Sequence, residues 1–235
     1  MFLGSWSRVD HTKLEERSPE VMCSTFTQTN SPHAELDGWL DALEGSPGRR
    51  PLPSLADAPL LLLDLQRLFV DPTSPAFVAG WPAAEPHCGA LLSACRHAGQ
   101  PIVFTQHSNL PGDDAGVIAH FGGRPLRHDD PLAALHPDWV PRLGEQRLEK
   151  HRYSPWWRTW LDQLVPEGGV VLIAGVTTHR CVLAAAVEAA SRDRLPVVVA
   201  DACATRSSEL QLATLCCVAH GYGYVASSRE VIDAL

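Results

Sequence analysis

The sequence predicts an α/β protein whose parallel sheet is covered by helices on both faces. Two observations predict it. Short apolar runs recur along the chain, "PLLLLD" (59–64), "PIVFTQ" (101–106), "GVVLIAG" (169–175) and "LPVVVAD" (195–201), and runs apolar on both sides suit strands buried in a parallel sheet. Helical stretches lie between them, and that alternation builds strand–helix–strand crossovers.

The elements follow in order. Residues 1–57 are polar and broken by proline and glycine, as in "TNSPH" and "EGSPGRRPLPS", with one short amphipathic candidate, "AELDGWLDALE". They are expected to form a partly irregular arm, with the main domain spanning 58–235. After the first strand, "EPHCGALLSACRHAG" reads as a helix ending at Gly99. About 40 residues rich in His, Asp, Gly and Pro separate the second strand from a weaker candidate strand, "QRLEK" (146–150). A connection of that length usually shapes a site. The alanine-rich "CVLAAAVEAA" opens a helix at Cys181, "SSELQLATLCCVAHG" is a helix opened by serine and closed at Gly221, and "YGYVAS" is a weak last strand.

Composition narrows the function classes. At 235 residues and 45% hydrophobic content the chain can bury one substantial core. A formal net charge of −8 disfavours nucleic acid or an anionic membrane as partner, leaving a small molecule. No apolar run approaches the roughly 20 residues of a membrane span. The first 22 residues lack a basic start and an apolar stretch, so a cytoplasmic location is expected. Seven scattered cysteines do not form an even disulfide framework.

Parallel sheets carry their chemistry at the carboxyl ends of the strands. Three residues stand there. Asp64 closes the first strand, Lys150 closes "QRLEK", and Cys181 follows "VVLIAGVTTHR". A cysteine at a helix start meets unpaired N–H groups and the positive end of the helix dipole, which favour thiolate. Taken singly, Cys181 could be a packed thiol, Asp64 a capping carboxylate and Lys150 a surface charge. As a set they supply a nucleophile, a proton carrier and a cation. Cys88, Cys95, Cys216 and Cys217 read as structural, while Cys203 stays open between the two roles. The chain lacks a G-x-G-x-x-G after its first strand, a G-x-x-x-x-G-K-[ST] loop and a G-x-S-x-G elbow. His107, His120, His128 and His136 have no metal-ligand spacing, so neither metal nor cofactor is expected.

Four segments in order, "LLLLDLQRLFVDP", "LEKHRYSPWWRTWL", "IAGVTTHRCVLAAAVEA" and "PVVVADACA", resemble the isochorismatase-like cysteine hydrolase superfamily, which includes nicotinamidases and N-carbamoylsarcosine amidases. The resemblance runs from about residue 58 to the C-terminus. It implies a three-layer, Rossmann-like fold with a six-stranded parallel sheet in the order 3-2-1-4-5-6, and a homodimer or homotetramer. It also implies a catalytic triad of Asp64, Lys150 and Cys181, a cis peptide at Val176–Thr177, and the Thr177 and Cys181 N–H groups as oxyanion donors. "FTQHSN" departs from the nicotinamidase pattern, because His107 lacks an acidic partner. Cysteine-dependent hydrolysis of a small amide or ureido bond is the expected activity. Vinyl-ether hydrolysis and a catalytically degenerate binding module are the alternatives. Phe69, His107, Phe121, Tyr153 and Trp156 are the candidate substrate contacts.

Overall fold

The computed structural model describes residue 40 and residues 50–235, apart from 111, 113, 114 and 119–124. Six strands form one parallel sheet: β1 (Leu60–Leu63), β2 (Ile102–His107), β3 (Gln146–Lys150), β4 (Val170–Val176), β5 (Leu195–Ala204) and β6 (Tyr224–Ala226). Their order is β3-β2-β1-β4-β5-β6. The chain winds outward one way from β1 and the other way from β4, so the crevice for a ligand opens between their carboxyl ends.

Side-chain alternation divides the interior into two cores. Leu60 and Leu62 of β1 join Phe104, Leu172 and Val197 on one face, under α1 (Trp81–His97). Leu61 and Leu63 join Val103, Ile173 and Val198 on the other, under α2 (Leu183–Ser191) and α3 (Ser208–Cys217). Successive strand residues point to opposite faces, and a four-leucine strand satisfies both. Leu52 and Leu55 pack on the first core and Leu40 is buried in the second. Among the described residues no helix is long and apolar enough to cross a membrane.

α1 begins at Trp81, four residues before the sequence expectation. Pro82 sits in the opening turn, where its missing N–H has no intrahelical acceptor to lose, and Pro86 lies inside the helix, as the sequence reading had it. Trp81 anchors that end by meeting Trp139 edge to face, with ring centroids 5.4 Å apart. The helix is capped at Ala98, and Gly99 follows in the left-handed region with φ 73°. β5 continues three residues past its expected end, which places Cys203 inside the strand and fully buried.

Gly175 holds the two central strands at their closest approach. Its φ is 112°, and an added Cβ would lie 2.3 Å from the Leu63 carbonyl oxygen and 2.7 Å from the Leu63 nitrogen. Backbone on the neighbouring strand cannot move aside, so only glycine fits. Gly175→Ala is expected to destabilise the protein by about 3 kcal/mol or more, read as a fall in the denaturant midpoint without a change in slope.

Candidate active site

Asp64 follows the last residue of β1 with φ 54°, a left-handed conformation that aspartate tolerates better than most residues. Thr105 of β2 holds it from both sides. The Thr105 hydroxyl oxygen accepts the Asp64 N–H at 3.1 Å, and the hydroxyl donates to Asp64 Oδ1 at 2.7 Å. Gln66, two residues on, pins the next stretch of chain. Its Nε2 donates to the His107 carbonyl at 2.8 Å and the Ala133 carbonyl at 2.6 Å, and its Oε1 accepts the His107 N–H at 2.8 Å.

Lys150 ends β3 and reaches under β1. Its side chain is fully buried, with Nζ 2.8 Å from Asp64 Oδ2. The ammonium also donates to the carbonyls of Arg152 and Tyr153, each at 3.2 Å, and lies 3.4 Å from Cys181 Sγ. Burial alone pulls its pKa down. The Asp64 carboxylate and the Cys181 sulfur more than reverse that pull, leaving Lys150 above its ordinary value.

Cys181 enters from the turn after β4. The Val176–Thr177 peptide is cis, and Thr178–Val182 winds as a single π-type turn leading into α2. The Thr177 carbonyl accepts from the Arg180 N–H at 3.1 Å and the Val182 N–H at 3.3 Å. Thus Asp64, Lys150 and Cys181 meet from three separate strand ends.

Two sequence expectations need correction. Cys181 does not rest as a low-pKa thiolate. Burial pushes its thiol up to about 12, the Asp64 carboxylate pushes the same way, and Lys150 only partly opposes them. Position at a helix start is visible in sequence; depth of burial and a carboxylate neighbour are not. Trp156 is the second correction. It is 1% exposed, its indole N–H donates to the Ala185 carbonyl at 3.0 Å, and it packs in the second core.

The other candidates are placed as follows. Phe69, His107 and Tyr153 line a cavity of about 130 Å³ with Asp64, Thr177 and Cys181. Phe121 lies outside the described residues. Burial, then the Lys150 charge, lowers the His107 pKa to about 4, so its imidazole is neutral at pH 7. Among the described residues no three His, Cys, Asp or Glu side chains gather as a metal site. Cys203, open in the sequence reading, is wholly enclosed with its thiol 3.7 Å from the Ile173 carbonyl. Sequence reasoning gave no role to Thr105 or Gln66. Their signal was present as polar residues at strand ends in otherwise apolar runs.

A family model described as the isochorismatase domain matches residues 58–230. The chain belongs to the isochorismatase family. It is an isochorismatase-like hydrolase. Maleamate amidohydrolase of Pseudomonas putida is 29% identical over 182 residues, covering 75% of this chain and 85% of that protein. Enterobactin synthase component B of Escherichia coli K12 is 28% identical over 186 residues, covering 75% of this chain and 63% of that protein. The crystal structure of a cysteine hydrolase from Pseudomonas syringae pv. phaseolicola superposes with a TM-score of 0.71 at 21% identity, covering 79% of this chain and 95% of that one. That superposition carries the fold alone. The isochorismatase domain thus takes in both ends of the crevice and all three residues of the buried cluster.

Proposed function

We propose that the protein hydrolyses a small amide or ureido C–N bond through a thioester on Cys181. One observation carries this reading: a carboxylate, an ammonium and a thiol meet beneath one small cavity, with Lys150 Nζ 2.8 Å from Asp64 and 3.4 Å from Cys181. The similarity to an amidohydrolase supports it.

The chemistry runs through the chain's own groups. As Cys181 Sγ attacks the carbonyl carbon, its proton passes to the Asp64 carboxylate, whose charge already bears on the thiol and which shares the Lys150 ammonium with it. A thiol with a base beside it needs no resting thiolate. The Thr177 and Cys181 N–H groups face the developing oxyanion. Asp64 then gives the proton to the departing nitrogen, the C–N bond breaks, and the thioester remains. Water attacks the thioester with Asp64 as base, the C–S bond breaks, and the acid and free thiol are restored. Lys150 balances the Asp64 charge throughout.

Intact-mass measurement on mixing with small amides and ureido acids tests this. Expected are stoichiometric ammonia release and an acyl adduct mapped to Cys181. Release of pyruvate from an isochorismate-like vinyl ether, with no adduct, would replace the reading. Absence of both, together with an unreactive Cys181, would favour a binding module.

A further inference from the structure

The turn that carries the nucleophile is held by a buried amide that the mechanism does not use. Thr178 follows Thr177 in that turn, is fully buried and does not line the cavity. Its hydroxyl donates to Gln211 Oε1 at 2.6 Å. Gln211 stands near the start of α3 with 1% of its surface exposed. Its Nε2 donates to the Ala200 and Cys203 carbonyls of β5, each at 3.0 Å. Both amide protons are thus committed to β5, which leaves the amide oxygen to accept and fixes which way the side chain faces.

His179 adds a second tie, its Nδ1 lying 2.6 Å from the Thr205 hydroxyl. Thr205 is itself buried just past the end of β5, and its carbonyl accepts the Gly80 N–H at 3.2 Å. Two consecutive residues of the turn are therefore anchored to α3 and to the end of β5. Within the turn, the Thr177 carbonyl accepts from the Arg180 and Val182 N–H groups on either side of Cys181, which links its two ends. A satisfied buried polar network rigidifies what it holds. An oxyanion site works only if its donors already stand in place before charge develops.

We propose that Gln211 and Thr178 are positioning residues for the oxyanion site: their hydrogen bond sets where the Thr177 and Cys181 N–H groups point, while Lys150 sets the place of the Cys181 sulfur. The two tasks are separable. Lys150 reaches Sγ from β3 at 3.4 Å, whereas Gln211 holds the turn at Thr178, from α3. Loss of the clamp therefore weakens reactions that put negative charge on a carbonyl oxygen and spares one that does not. That Cys181 attacks a carbonyl rests on the proposed function; the clamp acts on any carbonyl presented to it, whatever the leaving group.

Propanal and iodoacetamide make the comparison on the full chain. Propanal adds the Cys181 thiol across its carbonyl: the C–S bond forms, the π pair moves to oxygen, and that oxygen takes the thiol proton. Iodoacetamide forms its C–S bond at a saturated carbon as iodide leaves and Asp64 takes the proton, so no oxyanion develops. Alkylation mapped to Cys181 by peptide mass is followed with and without propanal, whose half-protecting concentration reads the affinity of its adduct. Thr178→Val keeps the volume and drops the hydroxyl. It is expected to raise that concentration about tenfold or more while leaving the alkylation rate within about threefold of the unmodified protein's. Thr178→Ser keeps the hydroxyl and should restore both values. Gln211→Met should repeat the selective loss from the other end of the bond; should it not fold, Thr178→Val decides. Equal losses in both reactions, loss in neither, or no propanal protection of the unmodified protein would overturn the proposal. Amide hydrolysis separates it from the proposed function. The propanal pattern without ammonia release from any amide would keep the clamp and remove the amide reading; ammonia release with a kcat that Thr178→Val does not lower would do the reverse.

Discussion

Cys181→Ser stops turnover, with kcat expected to fall about 10⁴-fold or more while the melting temperature moves by only a few degrees. Serine matches the thiol in shape, and the site is 9% exposed, so packing changes little. What changes is the acid. A hydroxyl gives up its proton far less readily than a thiol, and the adjacent Asp64 cannot compensate for a much poorer nucleophile. Cys203→Ser provides the contrast. That side chain is fully enclosed and away from the cavity, so its substitution should cost roughly 1–2 kcal/mol of stability and little activity. Alkylation must be read with the same care, because Cys217 is exposed and will also react. Inactivation by iodoacetamide should follow the modification of Cys181 and be independent of Cys217. Near-normal turnover by Cys181→Ser would remove the thioester mechanism.

Strands β1, β2, β4 and β5 were legible because each is buried on both faces and so must be a continuous apolar run. β3 was fainter for a physical reason: it is a sheet edge, and Gln146, Arg147 and Glu149 face solvent. It was legible only as the weak candidate "QRLEK". The catalytic candidates were legible because crossovers in a parallel sheet return every strand's carboxyl end to the same side, so residues far apart in sequence could be brought together on paper. Depth was not legible. Nothing in "THRCVL" shows that Cys181 is sealed beside a carboxylate, and nothing in "SPWWRTW" shows that Trp156 turns inward to Ala185 while Tyr153 reaches the cavity. Sequence reasoning also gave no role to Arg180 and Arg206; only the structure places both on the cavity wall.

Lys150→Met separates stability from chemistry at the buried pair. The substitution keeps a long side chain in a fully enclosed space but removes the ammonium that meets Asp64, Cys181 and the carbonyls of Arg152 and Tyr153. Asp64, itself fully buried, then retains Thr105 but loses its cation. Leaving one buried charge without its partner typically costs about 3–5 kcal/mol, and the charge balance needed for proton transfer is lost with it. Adding Asp64→Asn removes the stranded charge. The double variant is therefore expected to recover much of the stability lost by Lys150→Met, a coupling of about 1–3 kcal/mol in the double-mutant cycle, while recovering none of the turnover. The pH range follows from the direction of the Lys150 shift. Its pKa in the folded protein is raised above the ordinary 10.5, so the ammonium's contribution is complete below that value and is lost only as pH rises through the still higher folded value. Denaturation of the unmodified protein should show the pair's stabilisation intact from neutral pH to about pH 10 and weakening beyond it. Additive losses in the cycle, or a double variant that hydrolyses substrate, would mean that Asp64 and Lys150 do not act as one unit.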